Sequence, residues 1–426
     1  MNDLIVDLVE RSEAWYFSID SGEKEKYLYK KRTGLLQREI NNNTTGKSLE
    51  LNAPSDAKTL VTGKITPASL KIPEKDIAFS PSKILRDNKH VLDTLRQLEP
   101  MEWNVIVKAG HTVRLIIKKG DKEKKTAFTY FSILIKLRLK DHRDVIEVGE
   151  GSVRNLKFNQ DGLCSRIRKI VDNHKNSKSH RFPGKVPVIL NSGDGAILFH
   201  EILGHSLEAD YIYRKQSPIS PGDIGKQVVS KNVTLVTGYG SDTFFKDIPC
   251  DDEGETAESF ILVERGVLRH LISDSFYKHR LNIKNCGHSR VEDFTKIPMP
   301  RMYALYLKPG GYHPEELIAS TNYGVYAGEF GDGKVYFDRG LFQFNIREAW
   351  LIKNGKLSVP LGSIVVQGSI LEVLNSVDMV ADDFRFDKGI SYCFKNGQTI
   401  NVRVGQPTVK ISNLYVKKRN MDIVGE

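Results

Sequence analysis

His200, Glu201 and His205 fall within six consecutive positions, in the stretch HEILGH. Two imidazoles and a carboxylate so close together can build a hydrolytic metal site. Imidazole nitrogens ligate zinc, and a carboxylate beside a ligand can take a proton from an attacking water. The familiar zinc-peptidase pattern, H-E-x-x-H, spaces its histidines four apart, one above the other on a helix. Here they are five apart, which on a regular helix turns the second by about 140° from the first. Both meet one ion only if an extra residue widens the turn into a π-bulge, and Gly204 is the residue best able to permit that. The spacing therefore predicts an interrupted hydrogen-bond ladder between Glu201 and Gly204. A regular helix would instead leave two ordinary histidines on different faces, with Glu201 a surface charge. Glu208, three residues past His205, can meet that histidine's face as a hydrogen-bond acceptor or as a further ligand, and Asp210 then ends the helix.

These residues need a frame. VPVIL (186–190) reads as a buried strand leading into the turn NSGDG and the apolar stretch 196–210, with Asp194 as the helix N-cap. The following stretch, 211–225, has two Pro, two Gly and no period, and reads as a long loop or lid. From about 258 the chain reads as hairpins around Arg-Gly and Asn-Gly turns, with helices at 313–320 and 369–377. The glycine-rich GVYAGEFGDG (324–333) lacks the strand–turn–helix context of a phosphate loop and reads as hairpin turns. Upstream, 27–40, 103–120 and 126–140 alternate apolar and polar residues as short strands, with turns at Ala109-Gly110 and Gly120-Asp121. Helices are expected at 81–100 and 153–174. The polar run 174–185 marks a boundary. The expected fold class is α+β: an N-terminal α+β domain with an antiparallel sheet (1–180), and a β-rich C-terminal domain (181–426), sandwich or partial barrel, carrying the metal-binding helix.

The 426 residues are 40% hydrophobic and 27% charged, which excludes a disordered or collagen-like chain. No stretch is long and apolar enough to span a membrane. MNDLIVDLVERSE has acidic residues where an export signal needs basic ones, and four scattered cysteines suit a reducing compartment, so a cytoplasmic location is expected. The net charge of +10 comes from one segment: residues 101–200 carry 20 Lys/Arg against 10 Asp/Glu, whereas 201–400 carry 22 against 26. That surplus is mixed with Ser, Asn and Asp and lacks interleaved aromatics, so nucleic acid is not an expected partner. Asp251-Asp252-Glu253-Gly254, beside Cys250, reads as an acidic turn, with a second metal site as the alternative. Arg301 either faces substrate or pairs with an acid.

HEILGHSLEAD resembles the H-E-x-x-x-H-x-L-E-x-D segment of the TldD/PmbA peptidases. DDEGE (251–255), PMPRM (298–302), HPEELI (313–318) and YCFKNGQTINVRVGQPTVKISNL (392–414) resemble further segments of that family in the same order, over roughly 145–416. Intact His200, Glu201 and His205 resemble the metal-dependent, TldD-like branch. The resemblance implies a third metal ligand at Cys393, where sequence alone leaves Cys250, Cys286 and His288 as equal candidates. Two imidazoles and a thiolate form a three-ligand zinc site with a fourth position for water. In a metal-free protein the three ligating atoms are then expected within roughly 3–4.5 Å of one another. The resemblance further implies Glu201 as general base, an unfolded or extended peptide as substrate, and a paralogous PmbA/TldE-like partner or self-association. The alternative is a regulatory subunit whose metal site is closed, with Glu208 as fourth ligand.

Overall fold

The alternation upstream of residue 153 builds one antiparallel sheet. Its strands are β1 (Leu4–Asp20), β2 (Glu25–Ile40), β3 (Thr44–Glu50), β4 (Glu102–Lys118), β5 (Lys124–Arg138) and β6 (Val145–Val153), ordered β3-β2-β1-β4-β5-β6. The computed structural model describes residues 4–40, 44–50 and 89–418, apart from 99, 119, 141–144, 154–158, 239–244, 246–247, 257, 285–286 and 390. The strands are long rather than short. β4 runs straight through Ala109-Gly110, and the chain turns only at Gly120-Asp121, where Gly120 has φ +90°. Gly110 answers a packing need: it faces Tyr130 across the strands, and a Cβ there would lie 2.4 Å from the ring.

Period two sorts the side chains of this sheet. Val105 and Val107 on β4 and Ile133 and Ile135 on β5 share a face, and bury themselves against helices α1 (Lys89–Leu98) and α2 (Gln160–Lys175). α1 falls within the expected 81–100, of which residues 81–88 and 99 lie outside the described ones. α2 starts at 160 and not 153, because Val145–Val153 pairs with β5 as an edge strand, and Asn159 caps the helix through the N–H of Gly162. On the opposite face Ile106, Lys108, Ser132 and Leu134 open onto a cavity shared with the C-terminal half.

That half contains two larger sheets. One holds β7 (Lys185–Leu190) with Tyr323–Tyr336, Leu341–Lys353, Lys356–Pro360, Ile364–Ser369, Val377–Val380 and Val409–Lys418; the other holds Leu235–Gly238, Phe260–Glu264, Val267–Leu268, Ala304–Leu307, Arg385–Phe386 and Arg403–Gln406. Val188, Val366 and Ile411 from the first and Leu235, Leu262 and Leu305 from the second enclose Leu198, Phe199, Ile202 and Leu203 in one core. The whole is a mixed α+β fold with a partial β-barrel. Turns at Arg265-Gly266 (φ +47°, +83°) and Asn354-Gly355 (φ +51°, +71°) have both central residues left-handed, as tight hairpins require. The glycine-rich 324–333 is not a set of turns. It lies inside the strand Tyr323–Tyr336, which bulges between Ala327 and Gly333, and a Cβ on Gly333 would meet the Phe344 ring at 2.2 Å.

The acidic turn joins the two halves. Arg114 of β4 donates to Glu10 at 2.8 Å and to both oxygens of Asp252 at 2.9 Å, Arg38 of β2 pairs with Glu253, and Lys118 meets Glu255 at 2.6 Å. Asp251 accepts the backbone N–H groups of Glu253, Glu255 and Ser289. These carboxylates are occupied by arginine, lysine and backbone donors, the arrangement of a buried clamp.

Candidate metal centre

The segment after β7 changes its winding three times. Asp194–Ala196 is a tight 3₁₀ turn, Ile197–Phe199 is α-helical, His200–Gly204 is a π-turn, and His205–Leu207 returns to 3₁₀. The N–H of His205 donates to the carbonyl of His200, five residues back, so the two histidines are drawn onto one side. Their ring centroids are 5.0 Å apart. Gly204 does not supply unusual backbone freedom, for its φ of −55° suits any residue. It supplies room: a Cβ there would lie 2.3 Å from Met302 Sδ. Two expectations are corrected. Asp194 is the first residue of the 3₁₀ turn, pairs with Lys388 and caps no helix, and Asp210 lies in the first turn of a further short helix, Ala209–Tyr213, instead of ending one.

Cys393 arrives from a separate hairpin, Tyr392–Lys395 with Gln398–Asn401, closed by Asn396-Gly397 with φ +48° and +74°. Its Sγ lies 3.2 Å from His205 Nε2, and the ligand atoms of His200, His205 and Cys393 all fall within 4.8 Å of one another. That is slightly wider than the expected spacing. All three side chains are buried, and neither ring nitrogen of His200 has a hydrogen-bond partner. Burial pushes the Cys393 thiol up, but the His205 and His200 imidazoles outweigh it and hold the thiol well below its usual range. Burial likewise pushes His205 down, and the Cys393 thiolate and Glu208 carboxylate outweigh it. The rival candidates stand elsewhere. Cys250 packs with Leu8 and Leu36, and burial and Asp251 raise its thiol to about 12; His288 shares a hydrogen bond with Thr237; Cys286 lies outside the described residues.

Glu208 approaches the other edge of the His205 ring, with Oε2 2.6 Å from Nδ1, so Nε2 is left facing Cys393. Lys395 was not anticipated from the sequence. Its Nζ reaches Glu208 at 2.7 Å, Asp210 at 2.6 Å and the Pro300 carbonyl at 3.1 Å, all buried. Burial would raise the Glu208 carboxyl, yet His205 and Lys395 hold it down at about 2. Strand periodicity was the available signal: in β geometry Lys395 must share a face with Cys393, two residues earlier. Arg301 is fully buried and donates to the Cys393 carbonyl at 2.6 Å, while its Nε and Nη1 have no partner.

Glu201 is the one residue of 198–210 that is not buried. It lines a cavity of about 610 Å³ whose opposite wall is Ile106, Lys108, Ser132 and Leu134, and its Oε2 lies 3.9 Å from His205 Nε2. A carboxylate is therefore presented to an accessible space directly above a buried cluster of nitrogen and sulfur donors. That donor set, with an orphaned buried imidazole, is compatible with a metal ion.

Known proteins resemble this chain over the same region. Residues 183–418 match the family described as PmbA/TldA metallopeptidase C-terminal domain. A metalloprotease TldD homolog of Buchnera aphidicola is 35% identical over 298 residues, 67% of this chain and 61% of that protein. A zinc metalloprotease TldD homolog of Saccharolobus solfataricus is 28% identical over 259 residues, 60% of this chain and 56% of that one. The chain thus spans roughly three fifths of the length of these curated relatives. The crystal structure of TldE from Thermococcus kodakarensis superposes with a TM-score of 0.74 at 15% identity, covering 98% of this chain and 97% of that one, a likeness of fold.

Proposed function

Since the chain belongs to the PmbA/TldD metallopeptidase family, we propose that it is a zinc-dependent peptidase subunit of the TldD type, acting on unfolded or extended peptides. The observation that carries this is the convergence of His200, His205 and Cys393 beneath a cavity-lining Glu201. His200, His205 and Cys393 would hold the ion. Zinc bound there supplies Lewis acidity, acidifying a water and polarising a carbonyl.

The rest falls to the chain's own residues. Glu208 fixes the His205 tautomer and turns Nε2 toward the cluster. Glu201 takes the proton of the attacking water and returns it to the leaving amine nitrogen. The cavity wall of β4 and β5 keeps the peptide extended beside Glu201. A paralogous PmbA/TldE-like subunit, or a second copy, is the proposed partner. It is suggested by the TldE-type fold of the whole chain and by the resemblance of its motifs. The reading of Glu208 as fourth ligand of a closed site is disfavoured by position: the carboxylate sits at the Nδ1 edge of the His205 ring, away from Cys393, with Oε2 shared by His205 and Lys395 and its buried Oε1 unpartnered, and it does not join the cluster of ligand atoms.

The test is Glu201→Gln, assayed with the partner present. Metal content should stay near wild type while hydrolysis of an unstructured peptide falls roughly 10²–10⁴-fold. His205→Ala should lose metal and activity together. Unchanged turnover in Glu201→Gln would remove the general-base role, and loss of metal in that variant would make Glu201 a ligand.

A further inference from the structure

The strand that buries Cys393 and Lys395 turns Tyr392 and Phe394 the other way, into the cavity lined by Glu201. Phe394 is 72% exposed there. Across from Tyr392 stands Lys108 of β4, its Nζ 5.8 Å from the ring centroid, and the Tyr392 hydroxyl meets Ser132 Oγ at 3.2 Å. Lys108 and Tyr392 also line a second cavity, of about 350 Å³, and are the two residues common to both. They form the threshold between the cavities, one residue from Cys393.

The charges along these walls are mostly answered. Arg114 pairs with Glu10 and Asp252, Arg32 with Asp293, Arg166 and Lys388 with Glu329, and Arg347 with Glu147. Lys108 differs: among the described residues no carboxylate lies within ion-pair distance of it. The Tyr392 face attracts its ammonium and leaves its N–H donors open to a ligand.

We propose that Lys108 determines specificity by receiving a substrate carboxylate near the bond that is cut. Lys108 and Glu201 line one cavity, so a peptide held beside Glu201 passes Lys108. The carboxylate is either an Asp or Glu side chain or a free peptide C-terminus. The inference rests on the peptidase reading above.

The experiment uses the zinc-loaded full chain with its partner present and fluorescein-labelled peptides. One pair differs by Glu against Gln beside the scissile position, with amidated ends. A second pair keeps Gln and differs by a free against an amidated C-terminus. Cleavage is followed as kcat/KM, and binding by anisotropy with the Glu201→Gln variant. The acidic member of at least one pair should be favoured about three- to tenfold, less so at high salt. Which pair shows the effect identifies the source of the carboxylate. Lys108→Met should bring that ratio to about one, Lys108→Glu should invert it, and Lys108→Arg should restore it. Equal values within both pairs, a preference that survives Lys108→Met, or no binding by any peptide would overturn the proposal. A charge preference in binding without any cleavage would leave Lys108 in its role and sink the peptidase reading instead.

Discussion

Replacing Lys395 by Met keeps the length and apolar stem of the side chain and removes its charge. In the wild type that charge sits 2.7 Å from Glu208 and 2.6 Å from Asp210, with the three side chains no more than 2% exposed. Lys395 itself stays charged: burial opposes this, and Glu208 and Asp210 overcome it. The variant leaves two buried carboxylates facing an apolar methyl, and removing one partner of a buried pair typically costs about 3–5 kcal/mol. For a domain of this size that corresponds to a melting temperature lower by roughly 6–20 °C. The measurement is thermal unfolding in excess chelator, so that metal binding does not mask the loss. Adding Asp210→Asn should recover part of the deficit, because one of the stranded charges is then gone. The two substitutions should therefore be clearly non-additive. A Lys395→Met protein that melts with the wild type, or a double variant whose losses simply add, would refute the ion-pair account of this layer.

Gly204→Ala introduces a Cβ 2.3 Å from Met302 Sδ and should destabilise by about 1–3 kcal/mol while weakening metal retention, read by melting and metal content. Glu348 gives a pH dependence. Burial pushes its carboxyl up from 4.5 to about 7 against the pull of Lys169, so between those values the folded chain holds a proton that the unfolded chain has released. Stability should fall as pH rises through that window, by at most roughly 3 kcal/mol, and Glu348→Gln should flatten the slope in denaturant titrations at pH 5 and pH 8. Arg38→Met strands the buried Glu253 and should loosen the clamp between the halves, seen as faster hydrogen exchange in β2 and in 251–256.

Some of this architecture was legible in residue types alone and some was not. The five-residue step between His200 and His205 admits a shared site only through a widened turn, so the π-segment is the condition a metal site sets, while residue types alone leave a regular helix as the alternative. Cys393 could not be singled out by residue types. A cysteine in a strand is usually a small buried hydrophobe, and its meeting with His205 depends on how two distant hairpins pack. It was reached through the resemblance of SYCFKNGQT to family segments. Gly110 and Gly204 misled in opposite senses to a common cause: each is glycine because a neighbouring side chain, Tyr130 or Met302, occupies the space of a Cβ, and sequence reading assigns glycine first to turns and strained backbone. The bulged strand 323–336 was missed for the same reason.

His205 and Cys393 are 188 residues apart in the chain. Joining two points so far apart in a loose chain costs about 5 kcal/mol of entropy. Here that cost is already met by hydrogen bonds that involve no ion: Arg403–Gln406 pairs in parallel with Ala304–Leu307, and Val409–Lys418 pairs with β7. As a ribosome releases the chain from its N-terminal end, both histidines emerge long before the thiol and before the strands that seat it. An incomplete nascent chain therefore exposes His200 and His205 without their third neighbour. The three-ligand centre can be completed only after residue 393 has been made, and a chain cut short before it would hold both histidines without their thiol.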